Sequence, residues 1–343
     1  MAKNSSQLLT SLLKEVSRSF YLTMRVLPGA IRPQISLAYL LARITDTIAD
    51  TEIVPVEKRL NALIELRSRI LGTSGAPLQY DELADNQVSA AEQILLERCE
   101  DTLALLANCS TADQARIREV LATITSGQEL DLQRFAHAHE KKIVAMETDE
   151  ALSDYTYRVA GCVGEFWTKI CMAHQFRPKA IFGTSEAAET AFEKLGVRFG
   201  KGLQLVNILR DLPRDLRNGR CYLPTMKLAE VQLTPADLLQ PANEGKLRPV
   251  FEHYLEIAQS HLAAGWLYIQ AIPRSEIRVR LACAWPILIG LKTIEKLRLE
   301  NALDPSQRVK ISRAEVRSLI LKSIILYPFF TMWDKQFSRT SRG

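Results

Sequence analysis

Apolar residues recur along almost the whole chain at the three- and four-residue spacing of one helical face. Nowhere is there the sustained apolar/polar alternation, or the paired turn signals, that mark strands. The pattern predicts helices over residues 6 to 16, 32 to 52, 56 to 72, 86 to 108, 111 to 135, 150 to 174, 186 to 212, 247 to 270, 274 to 298 and 313 to 334. Breaks are predicted in LGTSGAPLQYDELAD (71 to 85), PRDLRNGRCYLP (213 to 224) and NALDPSQRVK (301 to 310), each rich in Gly, Pro, Asn or Asp. None of these is long or biased enough for an interdomain linker, and no repeat period is present. The expectation is all-α, with residues 1–343 forming one domain.

Two polar interruptions of this pattern stand out. In ISLAYLLARITDTIAD, Asp46 and Asp50 lie four residues apart inside an otherwise apolar helical run. Side chains at that spacing sit one above the other, and two like charges there destabilise a helix by about 0.2–0.5 kcal/mol unless something positive intervenes. A hydrated magnesium ion, a basic side chain or water alone would each answer. QLVNILRDLPRDLRNGR (204 to 220) repeats the spacing with Asp211 and Asp215. Magnesium prefers oxygen ligands and is commonly held by one or two carboxylates plus substrate phosphates, so two acid pairs fit a diphosphate bridged through magnesium. Arg210, Arg214, Arg217 and Arg220 flank the second pair, and Arg43 lies one turn before Asp46, supplying planar donors for an anion. Pro213 removes a helical donor and disfavours helical angles at Leu212, so the helix is expected to end or kink between Asp211 and Asp215. A solvated charged face is the plain alternative for either pair alone.

Bulk composition narrows the rest. The 343 residues are 47% hydrophobic and 24% charged, ample for a sizeable core. The net charge of +5 suits an anionic small molecule or membrane surface and is too weak for a nucleic-acid stripe. Six cysteines are scattered without a CxxC, as reduced cytosolic thiols would be, and the histidines show no metal-ligand spacing beyond HAH at 137 to 139. The N-terminal residues lack the features of a signal peptide. No segment reaches the ~18 uninterrupted apolar residues of a membrane span. LILKSIILYPFFTMW (319 to 333) is cut by Lys322 and Pro328 and is expected to be a core or membrane-surface helix.

Taken in order, the motifs resemble those of the squalene and phytoene synthases, the head-to-head prenyl synthases, over most of the chain. SRSFYLTMRVLP (17 to 28) looks like the family's N-terminal substrate segment, and YLLARITDTIAD (39 to 50) like its first aspartate motif. YTYRVAGCVG (155 to 164) looks like its central tyrosine segment, and NILRDLPRDLRNGRCYLP (207 to 224) like its second aspartate motif. CAWPILIG (283 to 290) and VKISRAEV (309 to 316) are similar to stretches of the squalene branch. The C-terminal membrane anchor of the eukaryotic enzymes is missing, as expected of a bacterial-type form.

The resemblance implies a single isoprenoid synthase domain with helices around a central cavity and the acid pairs facing each other at its mouth. It implies condensation of two farnesyl diphosphates to presqualene diphosphate, then reduction to squalene with NADPH, in sterol or hopanoid biosynthesis. Alternatives within the family are dehydrosqualene synthesis, phytoene synthesis, or arrest at presqualene diphosphate; outside catalysis, a prenyl-binding or assembly protein. The implied metal ligands are Asp46, Asp50, Asp211 and Asp215. Arg18, Arg43, Arg210 and Arg220 are implied diphosphate donors, with Ser17, Ser19, Gln204 and Asn207 adding hydrogen bonds or ordering metal-bound water. Phe20, Tyr39, Tyr155 and Trp285 are candidates to face a carbocation, since aromatic faces attract cations. Tyr155 matches the family's catalytic tyrosine. Gly161 and Gly164 are expected to allow close packing of prenyl chains. No strand-turn-helix GxGxxG setting is present, so NADPH needs an unusual site, for which Lys310 is the candidate. A lipid substrate and product imply a cytoplasmic protein in peripheral contact with the inner face of the membrane.

Overall fold

The computed structural model describes residues 12–17, 20–178, 185–307 and 309–340. The chain divides into two compact units, Met1–Ala136 with Phe166–Phe176, and His137–Glu165 with Arg177–Gly343.

In the first unit the helices are α1 (Leu13–Val16), α2 (Phe20–Val26), α3 (Arg32–Asp50), α4 (Val56–Leu71), α5 (Asp81–Asp85), α6 (Ala90–Glu97), α7 (Cys99–Ala107) and α8 (Thr111–Arg134). α3 is the central element and packs on α4, α6, α7 and α8. Pro33 sits in its first turn, where the missing N–H is not needed. Leu40, Leu41, Ile44 and Ile48 are sealed from solvent, each burial contributing about 1.5–3 kcal/mol. The end of α3 is closed by Arg59, a buried residue of α4 whose Nη1 donates to the Ala49 carbonyl at 2.5 Å. That satisfies one of the orphan acceptors of the last turn. α8 begins at an N-cap, Ser110, whose hydroxyl accepts from the Asp113 amide at 3.2 Å.

The second unit contains β1 (Val144–Ala145), α9 (Asp149–Thr156), a π turn (Tyr157–Gly161), the start of α10 (Cys162–His174), α11 (Ser185–Arg217), β2 (Arg220–Cys221) and α12 (Thr225–Glu230). Two 3-10 turns (Pro235–Leu239, Pro241–Asn243) lead into α13 (Glu244–Ala271), α14 (Ile277–Leu299), α15 (Arg313–Leu326) and α16 (Phe330–Thr340). α11 lies along α13 for much of its length, and α14 packs on both. The π turn and the first turn of α10 press against α11 backbone to backbone. A methyl at Gly164 would run into the Gly196 carbonyl oxygen, and one at Gly200 into the Ala160 carbonyl oxygen. The packing of Gly164 is thus against a neighbouring helix, which replaces the expectation of prenyl chains at that position.

Other departures have local causes. The predicted helix 86–108 is two helices joined at Arg98, whose backbone leaves helical angles without any Gly or Pro to announce it. The predicted helix 313–334 breaks between Leu326 and Phe330 around Pro328. Pro213 does not stop α11, which continues to Arg217. In the final turn the Pro213 carbonyl accepts from Arg217 Nη1 at 2.7 Å and the Arg214 carbonyl from the Asn218 amide at 3.3 Å, so these two carbonyls keep partners. Two short strands, unforeseen, pair in parallel, Val144 with Arg220 and Ala145 with Cys221. Gly219 makes the turn into β2 with φ +79°, a conformation L side chains rarely adopt, and any side chain there would strike His139.

Candidate active site

Around the first acid pair, the stripe Tyr39, Arg43, Asp46 and Asp50 follows the 3.6-residue period of α3, on the side its buried apolar residues leave free. Asp46 is half-buried and Asp50 exposed. Gln128, from the buried side of α8, donates through Nε2 to Asp46 Oδ1 at 2.6 Å. Burial pushes the Asp46 carboxyl up to about 7; the charge of Asp50 adds to the rise, while Arg43 and the Gln128 bond oppose it. Arg43 forms an ion pair with Glu92 of α6 and also feels Asp46, and its charged form is favoured. Arg43 is therefore anchored by a carboxylate that the sequence did not single out. The Tyr39 hydroxyl donates to the Val16 carbonyl at 3.4 Å. The buried Ser17 hydroxyl donates to the Leu13 carbonyl at 2.5 Å, so its only hydrogen stays within its own turn. Arg18 and Ser19 lie outside the described residues, as does the side chain of Phe20, whose backbone opens α2.

The second acid pair lies in the other unit. Gln204, Asn207, Asp211 and Asp215 are spaced three, four and four apart on α11 and form one half-buried stripe, opposite the buried Leu205, Leu209, Leu212 and Leu216. Arg210 grips Asp211 with both prongs, Nε to Oδ1 at 2.9 Å and Nη2 to Oδ2 at 2.6 Å, the bidentate geometry that suits guanidinium. That bond, with the charges of Asp211 and Asp215, outweighs desolvation and holds the guanidinium protonated. Arg220 lies on β2, positioned by the Gly219 turn.

Tyr155, half-buried in the last turns of α9, stacks on Tyr222 with ring centroids 4.9 Å apart and 25° between planes. The π turn follows at once, and such turns are frequent at functional sites. The buried Tyr254 of α13 donates its hydroxyl to Asp149 Oδ1 at 2.5 Å at the start of α9. Trp285 is buried on α14 and its indole N–H donates to Ser323 of α15 at 2.9 Å. Lys310 is exposed before α15, and its carbonyl accepts from Lys296 at 3.2 Å.

Each acid pair is a set of oxygen donors alone, two to a helix. Among the described residues no third His, Cys, Asp or Glu joins either pair. Two carboxylates per helix fit a hard divalent cation whose other ligands are water and phosphate oxygens. Burial raises Asp46 most and the charge of Asp50 adds to it, and that added repulsion is what such a cation would relieve. Gln128, Glu92 and Tyr222 are the site residues that sequence reasoning missed. Of these only Tyr222 carried a signal, being inside the second aspartate segment.

Among the described residues, no helix is long and apolar enough to cross a membrane. The chain is 29% identical over 261 residues to a bifunctional lycopene cyclase/phytoene synthase of Colletotrichum graminicola, covering 72% of this chain and 40% of that protein. It thus spans about two-fifths of the length of such bifunctional relatives. It is 29% identical to the presqualene diphosphate synthase of Rhodopseudomonas palustris over 90% of this chain and 93% of that one. With the squalene synthase of Saccharomyces cerevisiae it shares 25% over 94% of this chain and 68% of that one. The fold matches a solved structure of TcSQS with the ligand E5700, with a TM-score of 0.73 and 18% identity over 98% of both chains. This is an all-α isoprenoid synthase fold, and the squalene/phytoene synthase family model matches residues 13–315, so the chain belongs to the squalene/phytoene synthase family.

Proposed function

We propose that residues 1–343 act as one head-to-head prenyl synthase that condenses two farnesyl diphosphates to presqualene diphosphate and reduces this with NADPH to squalene. The observation that carries the reading is the pair of acid stripes, each four residues apart with an arginine in its own network, in a family of prenyltransferases.

Asp46 and Asp50, and Asp211 and Asp215, would hold magnesium, which when bound neutralises charge developing on a departing diphosphate. Arg18, Arg43, Arg210 and Arg220 bind the diphosphate oxygens, and Ser17, Ser19, Gln204 and Asn207 orient them and their water. For Arg210 this requires exchanging the Asp211 carboxylate for substrate, and for Ser17 turning its hydroxyl hydrogen away from the Leu13 carbonyl. Phe20, Tyr39 and Tyr155 present ring faces to the allylic cation and help exclude the water that would quench it. The Tyr155 phenol steers the cation or relays the proton lost on ring closure, its own hydrogen passing to a diphosphate oxygen as it accepts the new one; its stacking on Tyr222 holds the ring for that task. Lys310 meets a phosphate of the nicotinamide cofactor. The protein works in the cytoplasm, in peripheral contact with the inner face of the membrane that holds its lipid product.

A second reading, arrest at presqualene diphosphate, is favoured by the Rhodopseudomonas palustris relative, which matches over nearly its full length. Incubating purified protein with farnesyl diphosphate and magnesium, with and without NADPH, decides between them. Squalene formed only with NADPH supports the proposal. Presqualene diphosphate that persists with NADPH present selects the second reading. Dehydrosqualene, or phytoene from a longer diphosphate, overturns both.

A further inference from the structure

α15 is apolar on two sides. Its inner side faces α14, where buried Ser323 takes the Trp285 indole N–H. On its outer side Leu321, Ile324 and Ile325 are 58%, 47% and 58% exposed, and the surface continues through Phe329 and Met332 at 60% and 55%. Single exposed apolar residues are ordinary; five in adjoining turns form a patch. At 100° per residue, Arg313, Arg317, Leu321, Ile324 and Ile325 fall within one third of the helix circumference, so a basic half and an apolar half share one stripe. Arg313, Arg317 and Lys322 are exposed, and Glu315, the acid on this helix, is engaged by Lys296 at 3.0 Å.

We infer that the outer stripe of α15, continued onto Phe329 and Met332, is a docking surface for an anionic lipid bilayer. This rests on the peripheral membrane contact proposed above and names its residues and the lipid charge. Hydrocarbon takes up Leu321, Ile324, Ile325, Phe329 and Met332, while Arg313, Arg317 and Lys322 lie among acidic headgroups. A second copy of the chain is the poorer occupant: it would bring the same uncompensated positive charges, in a protein already at +5. An anionic bilayer complements both halves of the stripe.

The full chain is sedimented with vesicles of phosphatidylcholine, alone or mixed with phosphatidylglycerol. Binding is expected to the mixed vesicles, with weak binding to the neutral ones. Arg313→Gln with Arg317→Gln should weaken mixed-vesicle binding about 25-fold, at about fivefold per charge. Ile325→Ser with Phe329→Ser should weaken it at least about tenfold. Both double variants should melt like the parent and convert farnesyl diphosphate in detergent micelles at its rate. Equal binding to both vesicle types, or double variants that bind like the parent, overturns the surface. So does a solution dimer that Ile325→Ser with Phe329→Ser dissociates while vesicle binding is unchanged. A protein that binds mixed vesicles as described yet leaves farnesyl diphosphate untouched supports the surface and refutes the chemistry instead.

Discussion

Asp46→Asn is expected to make the metal-free protein more stable at neutral and alkaline pH. The Asp46 carboxyl is raised from its ordinary 3.8 to about 7, chiefly by burial and then by Asp50. Between those two values the folded state holds a proton that the unfolded state has released. Stability therefore falls as pH rises through this window, and the full penalty is present above about pH 7. At about 1.4 kcal/mol for each tenfold change in acidity, this rise bounds the penalty at about 4 kcal/mol, an upper figure because the carboxyl keeps some contact with water. An asparagine cannot ionise, and its carbonyl can still accept from Gln128 Nε2. Urea unfolding with a chelator present should give superimposable curves near pH 4 and a variant up to about 4 kcal/mol more stable near pH 8. Magnesium should narrow that gap by favouring the ionised carboxylate, while the variant loses farnesyl diphosphate condensation. A difference that does not change with pH, or a variant less stable near pH 8, would refute the reasoning.

Gly164→Ala forces a methyl into the Gly196 carbonyl oxygen and should cost upwards of about 2 kcal/mol in urea unfolding. At Gly161 the added carbon meets flexible side chains of Tyr157, Lys201 and Val197 at 3.0, 3.1 and 3.3 Å, so Gly161→Ala should cost less; equal losses would count against the backbone contact. Tyr222→Leu removes the ring stacked on Tyr155, a pair worth about 0.5–1.5 kcal/mol, and should slow presqualene diphosphate formation by up to about tenfold. Tyr222→Phe should restore the rate with KM unchanged, and a Tyr222→Leu variant that affects stability alone would remove Tyr222 from the positioning of Tyr155.

The long periodic helices were legible because burial on one side writes itself into the sequence every three or four residues. Arg32–Asp50, Val56–Leu71 and Thr111–Arg134 end within two residues of where periodicity puts them. Local chemistry allowed an end or a kink at Pro213, and the helix does not end there. It was silent at Arg98, where a break comes without a breaker. The strand pair Val144–Ala145 and Arg220–Cys221 is two residues long, too short for any period to show. At the site, the acids were visible because their spacing is local. Gln128 and Glu92 were not, since they reach Asp46 and Arg43 from 82 and 49 residues away, and only the fold brings them there.

Three local costs fall within the segments quoted as motifs: a like-charged pair at Asp46 and Asp50, a π turn after Tyr155, and a glycine inside a helix at Gly164. A scaffold selected for stability alone would avoid at least the first, because asparagine at 46 keeps the Gln128 bond and sheds the ionisation penalty. Gly164 is accounted for by packing, since the contact with Gly196 needs the absent side chain. At Asp46 the cost is of another kind: burial and the Asp50 charge raise its carboxyl, and the Gln128 bond and the Arg43 charge offset only part of that. Its apolar helix already packs on four neighbours, and Arg43, the nearest cation along the stripe, divides its charge between Glu92 and Asp46. Burial and repulsion that a cheaper residue would relieve, and that the Gln128 bond and the Arg43 charge offset only in part, are what a helix retains when a further positive partner arrives from solution.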